Sequence, residues 1–253
     1  MTALVSSLVT LLASGALGAI LPAVTGVEGT ANPSGVVLVG AANPKVTSTA
    51  AVHAININSP PQYLTITVVN KHGDAISTSH VHDPNAPAAV SGNVGPGTMA
   101  NGATAAFAVS TGWIGNVAIN DAAWALTGDD TLIEANFIIP SGYSVAVADL
   151  DVSYVNGFSV AITCSCSGAV VAGCNKNLYS LNTCGHSDGQ NACINPLRAD
   201  SSATSAASFF TPCQHAAWTY VNDDAANSFG QCQSGQITCC VGAACTANPK
   251  QPA

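Results

Sequence analysis

Asp149 and Asp151 stand one residue apart in "ADLDVSYVNGFSVAITCSCSG", just ahead of the first cysteine of the chain, Cys164. In an extended segment residues two apart share a face, so Asp149, Asp151 and Ser153 lie on one side, opposite Leu150, Val152 and Tyr154. A third carboxyl, Glu134, interrupts the run "TLIEANF" in a chain of which only 7% is charged. Such groups suit acid–base chemistry when brought together. One carboxyl held protonated releases a leaving oxygen, and another, ionised, activates water or attacks. Neighbouring carboxylates raise a pKa, which suits Glu134 as the acid and Asp151 as the base or nucleophile.

Other chemistries find less support. His80-x-His82-Asp83 places two imidazoles two residues apart, but Pro84 and Pro87 follow at once, which predicts a loop, and no third ligand is evident. The cysteines lack paired Cys-x2-Cys spacings, so no metal centre is expected, and no cofactor either. No signature of a cysteine nucleophile or of a Ser-His-Asp triad is present. Trp113, Trp124, Trp218, Tyr220 and Phe229 are candidates for stacking on sugar faces.

The 253-residue chain is 48% hydrophobic, with five basic and thirteen acidic residues and a formal charge of −8. Phosphate neutralisation needs clustered Lys and Arg, so nucleic acid is excluded as a partner, as is an anionic membrane surface. Neutral ligands such as carbohydrate remain open. The opening "MTALVSSLVTLLASGALGAILPAV" reads as a secretory signal over about residues 1–20, with no stable membrane anchor. Ten cysteines agree with export and predict up to five disulfides: Cys164, Cys166, Cys174, Cys184, Cys193, Cys213, Cys232, Cys239, Cys240 and Cys245. A secreted monomer, extracellular or associated with a cell wall, is expected.

These groups need a scaffold, and the composition supplies strands. Residues 21–61 read as an Ala-, Gly-, Pro- and Asn-rich extension. From "QYLTITVVN" onward, Leu64, Ile66 and Val68 alternate with Tyr63, Thr65 and Thr67, the pattern of a half-buried strand. Further strands are predicted at "TAAFAVS", "GNVAIN", "TLIEANFII", "YSVAVADLDVSYV" and "FSVAITC", with Asn156-Gly157 as a hairpin turn. The fold class is all-β, an antiparallel sandwich over 62–163. A cysteine-rich loop lobe follows over 164–231, with a short helix around "ADSSATSAASFF". A closing strand over 232–245 contains "QITCC", and 246–253 forms a tail.

Several pieces, in order, resemble the thaumatin-like (osmotin) family: "ITVVNKHGDAIS", "GTMANGATAAFAVSTGWIGNVAIN", "TLIEANF", "DVSYVNGFSVAI", "SFFTPC", "WTYVNDDAANSFGQC" and "QITCC". The most specific is "DVSYVNGFSVAI", and the likeness spans roughly Tyr63 to Cys240. It implies a thaumatin-like β-sandwich flanked by disulfide-rich loops. It also implies an acidic cleft formed by one Arg, one Glu and three Asp, and β-1,3-glucan as ligand. By position, Glu134 takes the cleft Glu, Asp151 the first Asp and Asp223 the last. Asn156 replaces the middle Asp and Asn116 the Arg. Asp223 and Asp224 read equally well as the start of a loop. His72 stands where the family has its first cysteine, so Cys240 must find another partner. Cys213 and Cys232 are implied to bridge back to the Cys164–Cys174 region. Three functional readings follow: a glucan-binding protein with weak or absent hydrolysis, an endoglucanase using Glu134 and Asp151, and an antifungal or structural wall protein without catalysis.

Overall fold

A computed structural model of the protein describes residues 61–253. The expected signal peptide and the extension up to residue 60 lie outside the described residues. The all-β expectation holds. The strands are β1 (Tyr63–Asn70), β2 (Ile76–His82), β3 (Ser91–Gly92), β4 (Thr98–Met99), β5 (Thr104–Ser110), β6 (Trp113–Asp121), β7 (Thr131–Ile138) and β8 (Val147–Ser153). They continue with β9 (Gly157–Phe158), β10 (Ile162–Cys166), β11 (Ala169–Cys174), β12 (Cys193–Ile194) and β13 (Gln236–Val241).

Two sheets carry the fold. One has the order β11-β10-β13-β1-β5-β3 and the other β4-β2-β6-β7-β8, while β9 and β12 pair separately. Alternation explains how they meet. Leu64, Ile66 and Val68 of β1 and Phe107 and Val109 of β5 turn inward from the first sheet. Val117, Ile119, Ile133, Ala135, Phe137, Leu150 and Val152 do so from the second, and all join one buried cluster. Each fully buried side chain of this size stabilises the fold by about 1.5–3 kcal/mol relative to exposure. One departure from a purely antiparallel arrangement is that the returning strand β13 runs parallel to β1, with Ile66 opposite Ile237. It also runs antiparallel to β10.

The second half has little periodic apolar surface, and disulfides tie it down. Cys166–Cys232 and Cys174–Cys213 join the lobe to β10 and β11, and Cys184–Cys193 closes a loop within it. Cys164–Cys239 links β10 to β13. Cys240 pairs with Cys245, five positions away. No cysteine is free. Five disulfides are typical of secreted or extracellular proteins.

Several expectations are corrected. Residues 201–210 form turns and a bend rather than a helix. There the Asp200 carboxylate accepts from the Ser202 N–H at 2.9 Å and its hydroxyl at 2.6 Å, a local arrangement that competes with helix. The α-helix among the described residues is α1, Leu178–Leu181, N-capped by Asn177. His80 and His82 lie in strand β2, not in a loop, and β11 is a strand that composition did not announce. Asn156-Gly157 is not a hairpin turn. Gly157 opens β9 and pairs with Ile194. A Cβ there would sit 2.3 Å from the Asp129 carbonyl oxygen and 2.6 Å from that of Cys193, so its glycine serves close backbone approach. The tail over 246–253 packs on the domain through Asn248, which is 1% exposed.

Candidate functional site

With one face of the β2-β6-β7-β8 layer given to the core, the alternate residues face outward. In register, Asn116 of β6 lies opposite Glu134 of β7, and Glu134 opposite Asp151 of β8. One step along, Asn136 lies opposite Asp149. Side chains directly opposite have Cβ atoms about 4.5–5.5 Å apart, so Asn116, Glu134 and Asp151 make one polar row with Asp149 beside it.

This face is not solvated. Exposure falls to 1% at Asn116, 7% at Glu134, 1% at Asp149 and 4% at Asp151. A segment of the lobe runs along the free edge of β8. Trp218 N–H donates to Val152 at 2.9 Å, Tyr154 N–H to Trp218 at 2.8 Å, and Gly230 N–H to Ala148 at 2.9 Å. The Ser228 hydroxyl donates to the Leu150 carbonyl. Trp218, Val155, Val221 and Ala226 form a second apolar cluster at this junction.

Buried polar atoms ordinarily find partners, and here several do not. Both polar atoms of the Asn116 amide, Glu134 Oε1, Asp149 Oδ1, Asp151 Oδ1 and the Trp218 indole N–H have none. The Asn136 amide donates to the other Asp149 oxygen at 3.2 Å.

Protonation follows from the burial. Loss of water pushes Glu134 up to about 8; the Ser153 side chain opposes the shift and the Asp151 charge adds to it. Burial also holds Asp149 well above the ordinary carboxyl range, and the Asp151 charge raises it further. Asp151 is raised by burial too, but it alone has opposing help from the Trp218 indole, the Ser228 backbone N–H and the Lys250 charge. That indole stops short of a complete hydrogen bond. Glu134 therefore suits a proton donor, and Asp151 is the carboxyl of the three best placed to ionise.

The other expected site residues lie outside the row. Asp223 is fully buried, and its carboxylate accepts from His215 N and Nδ1 and from Thr219 N and Oγ1, at 2.7–3.3 Å. It organises the loop 215–223, the alternative raised by its sequence context. Asn156 is half-buried, and its main-chain carbonyl accepts from Asn195 N–H at 2.9 Å. Of the aromatic candidates, Trp113, Trp218 and Tyr220 are buried and Trp124 is 46% exposed. His80 stacks on His82 at 5.4 Å and on Trp113 at 5.9 Å, so the two imidazoles lie flat together instead of converging on an ion. Among the described residues no group of three His, Cys, Asp or Glu is arranged to hold a metal. Sequence reasoning missed Asn136, although it stands two residues from Glu134 on the same strand, and it missed Ser228 and Lys250, which nothing local marks as lying near the row.

A cavity of about 160 Å3 lies elsewhere, lined by His72, Asp121, Phe158, Asn177, Tyr179 and Asn191 among others. Much of its polar lining is already engaged within the protein. His72 Nε2 is 3.2 Å from Asp121 Oδ2, and the Tyr179 hydroxyl lies 2.8 Å from the Asn191 carbonyl and 3.1 Å from that of Phe158. Of the nine unpartnered buried atoms among the described residues, six lie in or beside the row and three lie elsewhere, on His80, Trp113 and Asp130, so the row is the stronger candidate. Compared with known proteins, the chain matches no family model and no curated protein.

Proposed function

We propose that the protein is a secreted, thaumatin-like binder of a neutral cell-wall polysaccharide, β-1,3-glucan or a close relative, with weak or absent hydrolysis. The observation that carries this reading is the set of unpartnered buried atoms around Asn116, Glu134, Asp149, Asp151 and Trp218. It mixes donors with acceptors and, with its carboxyls protonated, bears little charge. Sugar hydroxyls both donate and accept, so a neutral glycan answers such a set better than an ion does. The resemblance of the chain to thaumatin-like proteins supports the glucan itself, and the five disulfides support secretion.

Burial also limits the chemistry. Entry of a sugar unit needs the lobe to part from β8, which predicts weak binding and slow turnover. The second reading, hydrolysis, has one specific observation in its favour: Glu134 and Asp151 differ in the groups that help them ionise. Their direct opposition also suits the ~5–5.5 Å carboxyl separation of retaining enzymes better than the ~6.5–9.5 Å of inverting ones.

The test is incubation of the oxidised protein with insoluble β-1,3-glucan, measuring both pelleted protein and released oligosaccharide. Pelleting with little or no sugar release is the expected outcome. Release that disappears in the double variant Glu134→Gln, Asp151→Asn establishes the glucanase reading instead. No retention on the glucan or on related wall polysaccharides ends the proposal.

A further inference from the structure

We infer that the cavity beside the β1–β2 turn is a second carbohydrate subsite, one that seats a single pyranose ring of a neutral glycan. The inference does not rest on the buried row. Asp121, on the cavity wall, ends β6, and Asn116 of the row lies roughly 17 Å back along that strand at ~3.4 Å per residue. The two sites are separate.

Distant parts of the chain meet at the cavity. His72 comes from the β1–β2 turn, Asp121 from β6, Phe158 from β9, Asn177 and Tyr179 from α1 and its cap, and Asn191 from the loop before β12. The space of about 160 Å3 is on the scale of one six-membered ring, since ~150 Å3 is enough to hold benzene. It is reached from solvent: the Tyr179 residue is 38% exposed, and the His72 and Asp121 side chains are partly exposed. Trp124 stands at the rim. Its N–H donates to the Asp121 carbonyl at 3.1 Å, and the N–H of the next residue, Ala125, donates at 3.1 Å to Gln190 Oε1, beside Asn191.

Bonds within the protein leave a mixed set of polar atoms over. Asn177 Oδ1 accepts from the Tyr179 N–H at 3.2 Å, while the Asn177 amide N–H groups have no partner among the described residues. Asn191 is the reverse case. Its amide N–H groups donate to Asn120 Oδ1 at 2.9 Å and the Ser159 carbonyl at 3.5 Å, which leaves Oδ1 to accept. The Tyr179 hydroxyl has one proton for two carbonyls and keeps a lone pair free. Charge narrows the ligand class. Asp121 Oδ1 already accepts from the Ala123 N–H at 2.8 Å and Oδ2 meets His72 Nε2 at 3.2 Å, so the carboxylate has little left for a cation. No Lys or Arg is among the described lining residues to hold an anion. A pyranose answers what remains, because its hydroxyls both donate and accept and its C–H face lies well against the Phe158 and Tyr179 rings, 5.6 Å apart.

The test is an NMR titration of the intact, oxidised chain with a β-1,3-linked glucotriose, following the Trp124 indole N–H and the Asn177 side-chain amide. Each signal is assigned by its loss in Trp124→Ala or Asn177→Asp, and glycerol serves as the control polyol. Both signals are expected to move with one midpoint, in the millimolar range that so small a contact supports. Asn177→Asp keeps the acceptor that caps α1 and removes the free donors. It is expected to weaken binding, read at Trp124, by about 2- to 12-fold, the worth of one ordinary hydrogen bond. Trp124→Ala, read at Asn177, is expected to weaken it as well. The shifts are expected to persist in Glu134→Gln, Asp151→Asn, so a failure of the row as a glycan site and a failure here are read separately. Signals that stay still, that move as far with glycerol, or that no longer move in the row variant overturn the inference. Undiminished binding in either Asn177→Asp or Trp124→Ala overturns it too.

Discussion

At the scale of single residues, two buried carboxyls show how similar burial can serve different ends. Asp223 spends its oxygens on four donors, whereas Glu134 leaves Oε1 without a partner. Asp223→Ala strips partners from buried donors and is expected to cost about 1–3 kcal/mol in denaturant unfolding, with retention on glucan unchanged under conditions where the variant stays folded. Glu134→Gln keeps shape while removing a charge that burial resists. It is expected to be near neutral at pH 5 and stabilising above pH 8, while weakening retention on glucan. An Asp223→Ala protein of unaltered stability would contradict the structural role assigned here. The sequence already showed Glu134, Asp149 and Asp151 as polar residues on alternating strands. It did not show that the polar face is covered, because alternation of residue type looks the same against water and against a second layer of protein.

At the scale of elements, strands with an alternating pattern were legible and the rest were not. β1 and β5 stand close to where Leu64, Ile66, Val68, Phe107 and Val109 put them. β2 was hidden by its Ser and His content and by the prolines after it, and its identity comes from pairing with β6 along its whole length. β11 gains its strand character from pairing with β10, a tertiary cause. Asn156-Gly157 misled because glycine has two uses in strands, positive φ and close approach, and only the second operates there. Gly157→Ala is therefore expected to destabilise by about 1–3 kcal/mol, since the added carbon meets two backbone oxygens that cannot move independently. Gly95 has open space around its Cβ position, and Gly95→Ala is expected to be neutral or to stabilise by up to about 1 kcal/mol. Equal unfolding midpoints for these two variants would show that the β9 approach is looser than the structure has it.

At the scale of the whole molecule, the disulfide-tied lobe and the sandwich enclose more carboxyl than they neutralise, and stability should register it. Burial raises Asp129, Asp130, Glu134, Asp149 and Asp151, with Asp130 near 7 and Glu134 near 8. In the unfolded chain these groups titrate at about 3.9 to 4.3. Between roughly pH 4 and 8 the native state thus binds more protons than the unfolded one, and stability falls as pH rises. His80 opposes this. Its pKa is lowered from 6.5 to about 4, first by burial and then by His82, so its contribution rises with pH across that narrower range. Five groups outweigh one below pH 6.5, and above it the loss is unopposed by His80. The thermal midpoint is expected to be lower at pH 8.5 than at pH 5 by at least about 5 °C, because ~1 kcal/mol moves it by ~2–4 °C in a domain of this size. Glu134→Gln should flatten the slope most strongly between pH 5 and 8, where this carboxyl is protonated in the native state and ionised in the unfolded chain. A midpoint that holds or climbs toward pH 8.5 would mean that the row is already ionised and hydrated at neutral pH, which would remove the protonated acid on which both the binding and the hydrolytic readings depend.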